Sequence, residues 1–316
     1  AKPDKGELSL DKIKLILDSL PNVRILHLTG GEIFLREDIE EILNFIVNKT
    51  NKFILISFPT NGILTERIFK AVGSLSKNLG RVRLMITCSI DGIKKTHDEL
   101  RGMSGAYDRC LEAFIKLRAI KNIDTRIGVT LSQDNYQEIP SLISGLQEKI
   151  ADFTFDELHF NFAGRSSFYN NMTEDSLQLI NEEAYFFVNK LLKTYKKNRG
   201  IKSFLENKYF ALMPSYLKDG NSPVRCSAIS SSCFIDPYGD VYPCINYEAK
   251  IGNLQSAGYN FIDFWRASVK TRNLEGEKIK NRLCPGCWTP CEAYPSLINN
   301  FMQCSPLVKG FSSQNS

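Results

Sequence analysis

Residues 23–32, VRILHLTGGE, decide how the chain is read: an apolar run rich in β-branched and leucine residues stops abruptly on two glycines and a carboxylate. Upstream, Ile13, Ile16, Leu17 and Leu20 share one face of a helix, with Ser9 placed to cap its N-terminus. Downstream, Ile39, Ile42, Leu43 and Ile46 repeat the helical spacing, and the strand FILISF (53–58) follows. The alternation continues with a helix around 65–79, the strand RVRLMITCSI (81–90), a helix at 106–120, the strand TRIGVTL (125–131), a helix at 137–149, the strand ELHFNF (157–162) and a long helix at 174–198. Apolar strands that each return through a helix predict a parallel sheet covered by helices, either doubly wound or a full or partial β/α barrel. Ligands bind at the carboxyl ends of the strands in both architectures.

Those ends carry short polar groups. The first strand runs into TGGEIF, where paired glycines allow close backbone approach and Glu32 with neighbouring carbonyls suits an ammonium group. The second ends in FPTNG (58–62) and the third in SIDG (89–92), each also a competent turn. The histidines stand alone in sequence: His27, His97 and His159 read as core or lining residues rather than ligands.

Composition sets outer limits. With 316 residues, 43% hydrophobic and 24% charged, the chain can bury a large core and a smaller second one. A net charge of +5 is spread along the chain, and the basic run 193–202 reads as a solvated helix end, so nucleic acid is not expected as a partner. No apolar run reaches membrane-spanning length and the first residues have no secretory pattern, so a cytoplasmic protein is expected, with no membrane partner. Nine cysteines in a reducing compartment point to metal or redox chemistry rather than disulfides.

Seven of the nine follow residue 225, which marks a C-terminal module. Cys226 and Cys244 flank PYGD, the turn of a hairpin that brings its flanks together, and Cys284 and Cys287 supply a second pair within CPGCWTPC (284–291). Four thiolates in two pairs fit Zn²⁺ or an iron–sulfur cluster.

In combination these motifs resemble the radical S-adenosylmethionine (SAM) enzymes. LHLTGGEIFLREDIEEIL (26–43) is similar to that superfamily's glycine-rich motif. SIDGIKKTHDELRG with GAYDRCLEAF is similar to the segment after the fourth barrel strand in members that carry a C-terminal auxiliary-cluster domain. The resemblance implies a partial (β/α)6 TIM-like barrel over 1–200, a linker helix over 201–222 and a small cysteine-rich α+β domain of SPASM or twitch type over 223–316. It implies that Gly30, Gly31 and Glu32 receive the methionine amino group of SAM. Asn61, Ser89 and Asp91 then face its ribose or methionine end, and Arg101 is a candidate partner for its carboxylate. Cys226, Cys244, Cys284 and Cys287 would hold one auxiliary [4Fe–4S] cluster; a second would draw in Cys233, Cys291 and Cys304.

Two departures accompany the likeness. Ile33 replaces a proline common at its place, and no stretch reads CxxxCxxC, the loop that binds the SAM-cleaving cluster. That loop, with the first barrel strand, is expected upstream of Ala1, which leaves five strands here and the chain as numbered inactive. The implied activity is hydrogen abstraction by a 5′-deoxyadenosyl radical from a peptide, protein or small-molecule substrate, with flavodoxin or ferredoxin as reductant. The catalytic acid or base is not identifiable. The rival reading is a non-catalytic metal-binding scaffold, with zinc or iron–sulfur in the tail and a degenerate barrel.

Overall fold

The structure, a computed structural model, describes residues 6–21, 23–48, 53–164, 166–169, 182–194 and 201–304. Two compact units emerge: residues 1–163 with 235–240 and 252–268, and residues 164–234 with 241–251 and 269–316.

The first unit is built on five parallel strands in the order β1 (Ile25–His27), β2 (Leu55–Thr60), β3 (Arg83–Ser89), β4 (Ile123–Leu131) and β5 (Leu158–Phe162). The sheet is a curled half-barrel, as the alternation of strands and helices predicts. Before β1 lies α1 (Leu10–Ser19), capped by the Ser9 hydroxyl, which accepts from the Lys12 N–H at 3.5 Å. The returns are α2 (Ile39–Asn48), α3 (Thr65–Leu75), α4 (Lys94–Leu100) with α5 (Ala106–Arg118), and α6 (Ile139–Lys149). Helix α2 forms because Ile39, Ile42, Leu43, Ile46 and Val47 make one apolar stripe, all buried, each full burial contributing roughly 1.5–3 kcal/mol. The short helix α4 did not show in the apolar pattern. Its sequence KKTHDEL buries only His97, so it carries no stripe.

Strand register separates two faces. On the helix side Ile56 pairs with Leu84, Phe58 with Ile86, Ile127 with Leu158 and Val129 with Phe160, all buried. On the other side His27 pairs with Ser57 and Ser57 with Met85, then Thr87 with Arg126, Ser89 with Gly128 and Gly128 with His159. That inner face is polar and, apart from Ser57, partly open to solvent. Helix α9 (Phe261–Ala267) completes the unit, where the Phe261 N–H donates to the Ser19 hydroxyl at 2.8 Å.

The second unit contains α7 (Glu182–Thr194), α8 (Ile201–Asp219), α10 (Val269–Lys280) and α11 (Pro290–Cys304). Tyr209 on α8 stacks on Trp288 with centroids 5.3 Å apart, and each side chain donates to the other's backbone carbonyl. A small sheet orders β6 (Phe234–Ile235), β7 (Asp240–Tyr242) and β8 (Gly252–Asn253). The hairpin expected at PYGD is present: the Asp236 carboxylate accepts from the Tyr238 and Asp240 N–H groups, and Gly239 takes φ of 84°. The remainder of the expected helix 174–198 and of the basic run 193–202 lies outside the described residues. Among the described residues no helix is long and apolar enough to cross a membrane.

Candidate functional site

In the first unit the strand ends form a rim. The loop after β1 turns at Gly30, whose φ of 145° suits only glycine, whereas Gly31 lies outside that region. A Cβ added at either meets nothing within 4 Å. Packing against the chain therefore does not explain Gly31, and the open space beside it fits a ligand that approaches the backbone.

Glu32 is buried, and its carboxylate is already engaged. One oxygen accepts from the Phe34 N–H at 3.2 Å; the other accepts from the Thr60 hydroxyl and the Asn61 N–H, both at 2.8 Å. It staples the loop after β1 to the end of β2. Asn61 in turn accepts through Oδ1 from the Ile63 N–H at 3.0 Å, closing an Asx-type turn. Gly62 is fixed by its φ of 73° and because a Cβ would stand 2.6 Å from the Cys110 Cα.

Asp91 is more heavily committed. Its carboxylate accepts from the Thr130 N–H at 2.9 Å and pairs with Arg101, its N–H donates to His97 Nδ1 at 3.1 Å, and its carbonyl accepts from Asn135 at 2.6 Å. Burial of His97 pushes its imidazole pKa below the ordinary value, against the pull of Asp91. The ring therefore stays neutral, as an acceptor must. Arg101, about one-third exposed, reaches Asp91 from the end of α4. Ser89 differs: its backbone carbonyl accepts from the Cys110 thiol at 3.3 Å, while its hydroxyl has no partner among the described residues. Of the residues singled out for SAM, Gly30, Gly31 and Ser89 present open groups; Glu32, Asn61, Asp91 and Arg101 hold the rim together.

In the second unit Cys226, Cys244, Cys284 and Cys287 wall one cavity with Ala228, Tyr247, Ile279, Trp288 and Glu292. The pairs come from distant positions: the hairpin flanks bring Cys226 and Cys244, and the turn at Gly286, φ 71°, presents the CxxC. Desolvation by burial raises Cys226 to about 11, Cys287 to about 12, and Cys244 further. Thiols that resist ionisation in an apolar pocket are held neutral until a cation replaces their protons. Among the described residues no three His, Cys, Asp or Glu side chains are set to grip a single metal ion. The four thiols line a shared space, a donor set that Zn²⁺ or an iron–sulfur cluster takes.

Sequence reading missed three features. Glu292 is buried in the cavity wall, its pKa pushed up to about 7 by burial while Oε2 accepts from the Ser232 hydroxyl. One residue past Cys291, it carries no sequence signal that sets it apart from a solvated helix-start acid. Cys88 and Cys110, lone in sequence, are fully buried with their thiols hydrogen-bonded, because β3 and α5 pack together. The inner-face polar row was hidden in strands that read as apolar, although its period of two was the available signal. Cys233 and Cys291 do not line the cavity, and the side chain of Cys304 lies outside the described residues.

Comparison with known proteins adds an independent line. Residues 226–288 match an iron–sulfur cluster-binding domain, SPASM. The Fe-coproporphyrin III synthase of Methanosarcina barkeri is 29% identical over 197 residues, 61% of this chain and 45% of that protein. The AdoMet-dependent heme synthase of the same organism is 25% identical over 311 residues, 89% of this chain and 82% of the relative. The antilisterial bacteriocin subtilosin biosynthesis protein AlbA of Bacillus subtilis is 23% identical over 90% of this chain and 61% of its own length. The chain thus spans less than half of one of these relatives and most of another. These matches bear out the resemblance to radical SAM enzymes with a SPASM-type C-terminal domain.

Proposed function

We propose that the chain is the barrel and auxiliary-cluster part of a radical SAM oxidoreductase or maturase, and that it acts on a peptide, protein or small-molecule substrate by hydrogen abstraction. The rim would hold SAM, which, once reduced from an iron–sulfur cluster, would supply a 5′-deoxyadenosyl radical. The chain's own residues bind and orient. Gly30 and Gly31 offer backbone carbonyls to the methionine ammonium, Ser89 offers its hydroxyl, and Glu32, Asn61, Asp91 and Arg101 set the spacing of the strand ends. The inner face of the sheet, walled by His27, Ser57, Thr87, Arg126 and His159, receives the substrate.

The observation that carries the reading is the common cavity of Cys226, Cys244, Cys284 and Cys287 inside the stretch that matches the SPASM domain. Its donor set fits one [4Fe–4S] cluster. The match of this stretch to an iron–sulfur cluster-binding domain favours iron–sulfur over zinc. The domain reading follows: barrel over 1–200, linker helix over 201–222 and cluster domain over 223–316. SAM cleavage needs three further thiolates at the barrel mouth. No stretch of the 316 residues reads CxxxCxxC, the spacing that would supply them. Flavodoxin or ferredoxin is the proposed reductant and the cytoplasm the proposed compartment.

Among substrates, the relatives' names point to iron tetrapyrroles on one side and to a bacteriocin on the other. The test of the class is anaerobic reconstitution followed by iron, sulfide and zinc analysis: about four iron and four sulfide per chain are expected. Stoichiometric zinc without iron would favour the scaffold reading instead.

A further inference from the structure

The cavity lined by the four thiols has one polar side chain left over. Ser222, Tyr247, Trp288, Glu292 and Ser296 also line it, and each is engaged by atoms of the same unit. The Ser222 hydroxyl donates to the Val224 carbonyl at 2.8 Å, Tyr247 to the Glu275 carboxylate at 2.7 Å, and the Trp288 indole to the Tyr209 carbonyl at 3.0 Å. Glu292 accepts from the Ser232 hydroxyl at 2.8 Å, and Ser296 Oγ accepts from the Ser227 N–H at 3.0 Å. Asn246 is the exception. It stands in the same wall, only 7% exposed, and neither Nδ2 nor Oδ1 has a hydrogen-bond partner among the described residues. An amide buried with both ends unpaired costs the fold free energy, and native interiors seldom keep one without a partner. A water there would need about two to four polar neighbours, and the wall's other polar side chains are already taken.

The amide is also held beside a cluster ligand. The turn from Cys244 to Tyr247 closes through the Tyr247 N–H on the Cys244 carbonyl at 3.3 Å, and the Asn246 backbone N–H donates to the Cys244 thiol. The same two-residue step recurs at Cys226, whose sulfur accepts from the Ala228 N–H at 3.4 Å, and at Cys287, whose sulfur accepts from the Thr289 N–H. Three of the four thiols thus already meet an N–H donor two residues on. At Cys287 the side chain joins in, for the Thr289 hydroxyl also donates to that sulfur, at 3.8 Å. Asn246 is the counterpart of Thr289 at Cys244, with a side-chain donor that no protein sulfur takes up.

We propose that the Asn246 side-chain amide donates Nδ2–H to a sulfur of the auxiliary iron–sulfur cluster and thereby sets its reduction potential. This deepens the reading under Proposed function and rests on it. Reduction adds negative charge to the cluster, so a donor aimed at its sulfur holds the reduced form more tightly than the oxidised one. Removing the donor lowers the midpoint potential and leaves the iron in place, because the thiols and not the amide carry the cluster.

The test is a redox titration of the full chain with its cluster reconstituted, followed by electron paramagnetic resonance of the reduced cluster. Iron and sulfide are measured first. Asn246→Leu, which keeps the size of the side chain and removes its donor, should hold wild-type amounts of both. At a fixed potential its ratio of reduced to oxidised cluster should fall by about tenfold, a midpoint lower by about 59 mV for one electron. Pulsed resonance in deuterated buffer should show an exchangeable-proton coupling in wild type that Asn246→Leu lacks. A wild-type midpoint in Asn246→Leu overturns the proposal. So does loss of iron from a variant that folds by circular dichroism, since the amide would then be a ligand rather than a donor. If Asn246→Leu does not fold, Asn246→Ala decides by the same two readings, and a wild-type midpoint there overturns the proposal equally. A wild-type chain that takes zinc in place of iron refutes the cluster reading itself. Full iron and sulfide in wild type with no effect of either variant refutes only the Asn246 assignment.

Discussion

Replacing Gly31 by valine separates a glycine kept for the fold from one kept for a ligand. A Cβ at position 31 meets nothing within 4 Å, and the backbone there lies outside the left-handed region, so the fold loses nothing by the change. Stiffening the unfolded chain should even add about 0.4–1 kcal/mol of stability. If the methionine ammonium of SAM donates to carbonyls beside this glycine, the branched side chain intrudes on that approach. Loss of one hydrogen bond to a charged group costs about 1.5–3 kcal/mol, which corresponds to binding about 10- to 150-fold weaker.

The control is Gly30→Val. Its φ of 145° strains any branched residue, so a stability loss on the order of 1–3 kcal/mol is expected there whatever happens to SAM. The assay joins the barrel to an upstream strand and CxxxCxxC loop, loads the clusters, and measures 5′-deoxyadenosine after dithionite reduction alongside urea unfolding. Gly31→Val should unfold like wild type or slightly later and make little deoxyadenosine at limiting SAM. Wild-type cleavage by Gly31→Val would refute the assignment of the glycine pair while leaving the class intact. Absence of cleavage in the wild-type fusion, with its clusters shown to be full, would refute the radical reading.

Other outcomes follow from the same geometry. Cys284→Ala or Cys287→Ala should lose the auxiliary iron and lower the melting point of the tail, because metal bound only in the fold contributes its binding energy to folding; Cys110→Ala should keep full iron content. Glu32→Ala strands the Thr60 hydroxyl and the Asn61 and Phe34 N–H groups, and should cost about 2–4 kcal/mol in urea unfolding; a loss under 0.5 kcal/mol would show that the staple is dispensable. His97 has its pKa lowered in the fold, so the unfolded chain takes up the proton first as pH falls. Its contribution to stability is present above about pH 6.5 and is lost below it, at up to about 1.4 kcal/mol per pH unit. Urea midpoints between pH 7.5 and 5.5 should fall more steeply in wild type than in His97→Gln, and parallel slopes would count against a neutral ring. Ser89→Ala should weaken SAM binding without moving the urea midpoint, whereas Arg101→Ala should move both; a purely SAM-directed effect of Arg101→Ala would make it a direct ligand.

The sequence announced the strands and their succession along the chain because parallel strands buried on the helix side read as apolar runs, and the return helices other than α4 carried a stripe like that of α2. Helix α4 escaped since it is held by polar bonds, His97 to Asp91 and Asp98 to the Gly105 and Tyr107 N–H groups, which leave no periodic trace. The cysteine pairs were legible through spacing alone. Glu292 was not, because its burial depends on the packing of α11 against α8, a long-range event. His27 stood in plain view, but its neighbour Ser57 lies 30 residues away and His159 comes from the far edge of the sheet, so only register reveals the polar face they share.

The segment IDGIKKTHDELRG shows why a motif's charged residues need not be its ligand contacts. A strand end that must hold a ligand has to be rigid, yet it lacks the ladder bonds that stiffen the strand behind it. Asp91 supplies substitutes by using every polar group it has: its N–H goes to His97, its carbonyl to Asn135, one carboxylate oxygen to the Thr130 N–H and the other to Arg101. The loop after β3 is thereby tied to α4 and to the ends of β4, and the ion pair is one-sided in exposure, with Asp91 buried and Arg101 reaching in from the surface. A buried carboxylate without that guanidinium would retain only one N–H donor, so removal of Arg101 costs more than a surface pair of similar length would. The residue that stays open, Ser89, is small, uncharged and two positions away, held at a fixed height by its strand and by the Cys110 thiol on its carbonyl. Charge here builds the frame, and a hydroxyl and bare backbone are what the frame offers a ligand.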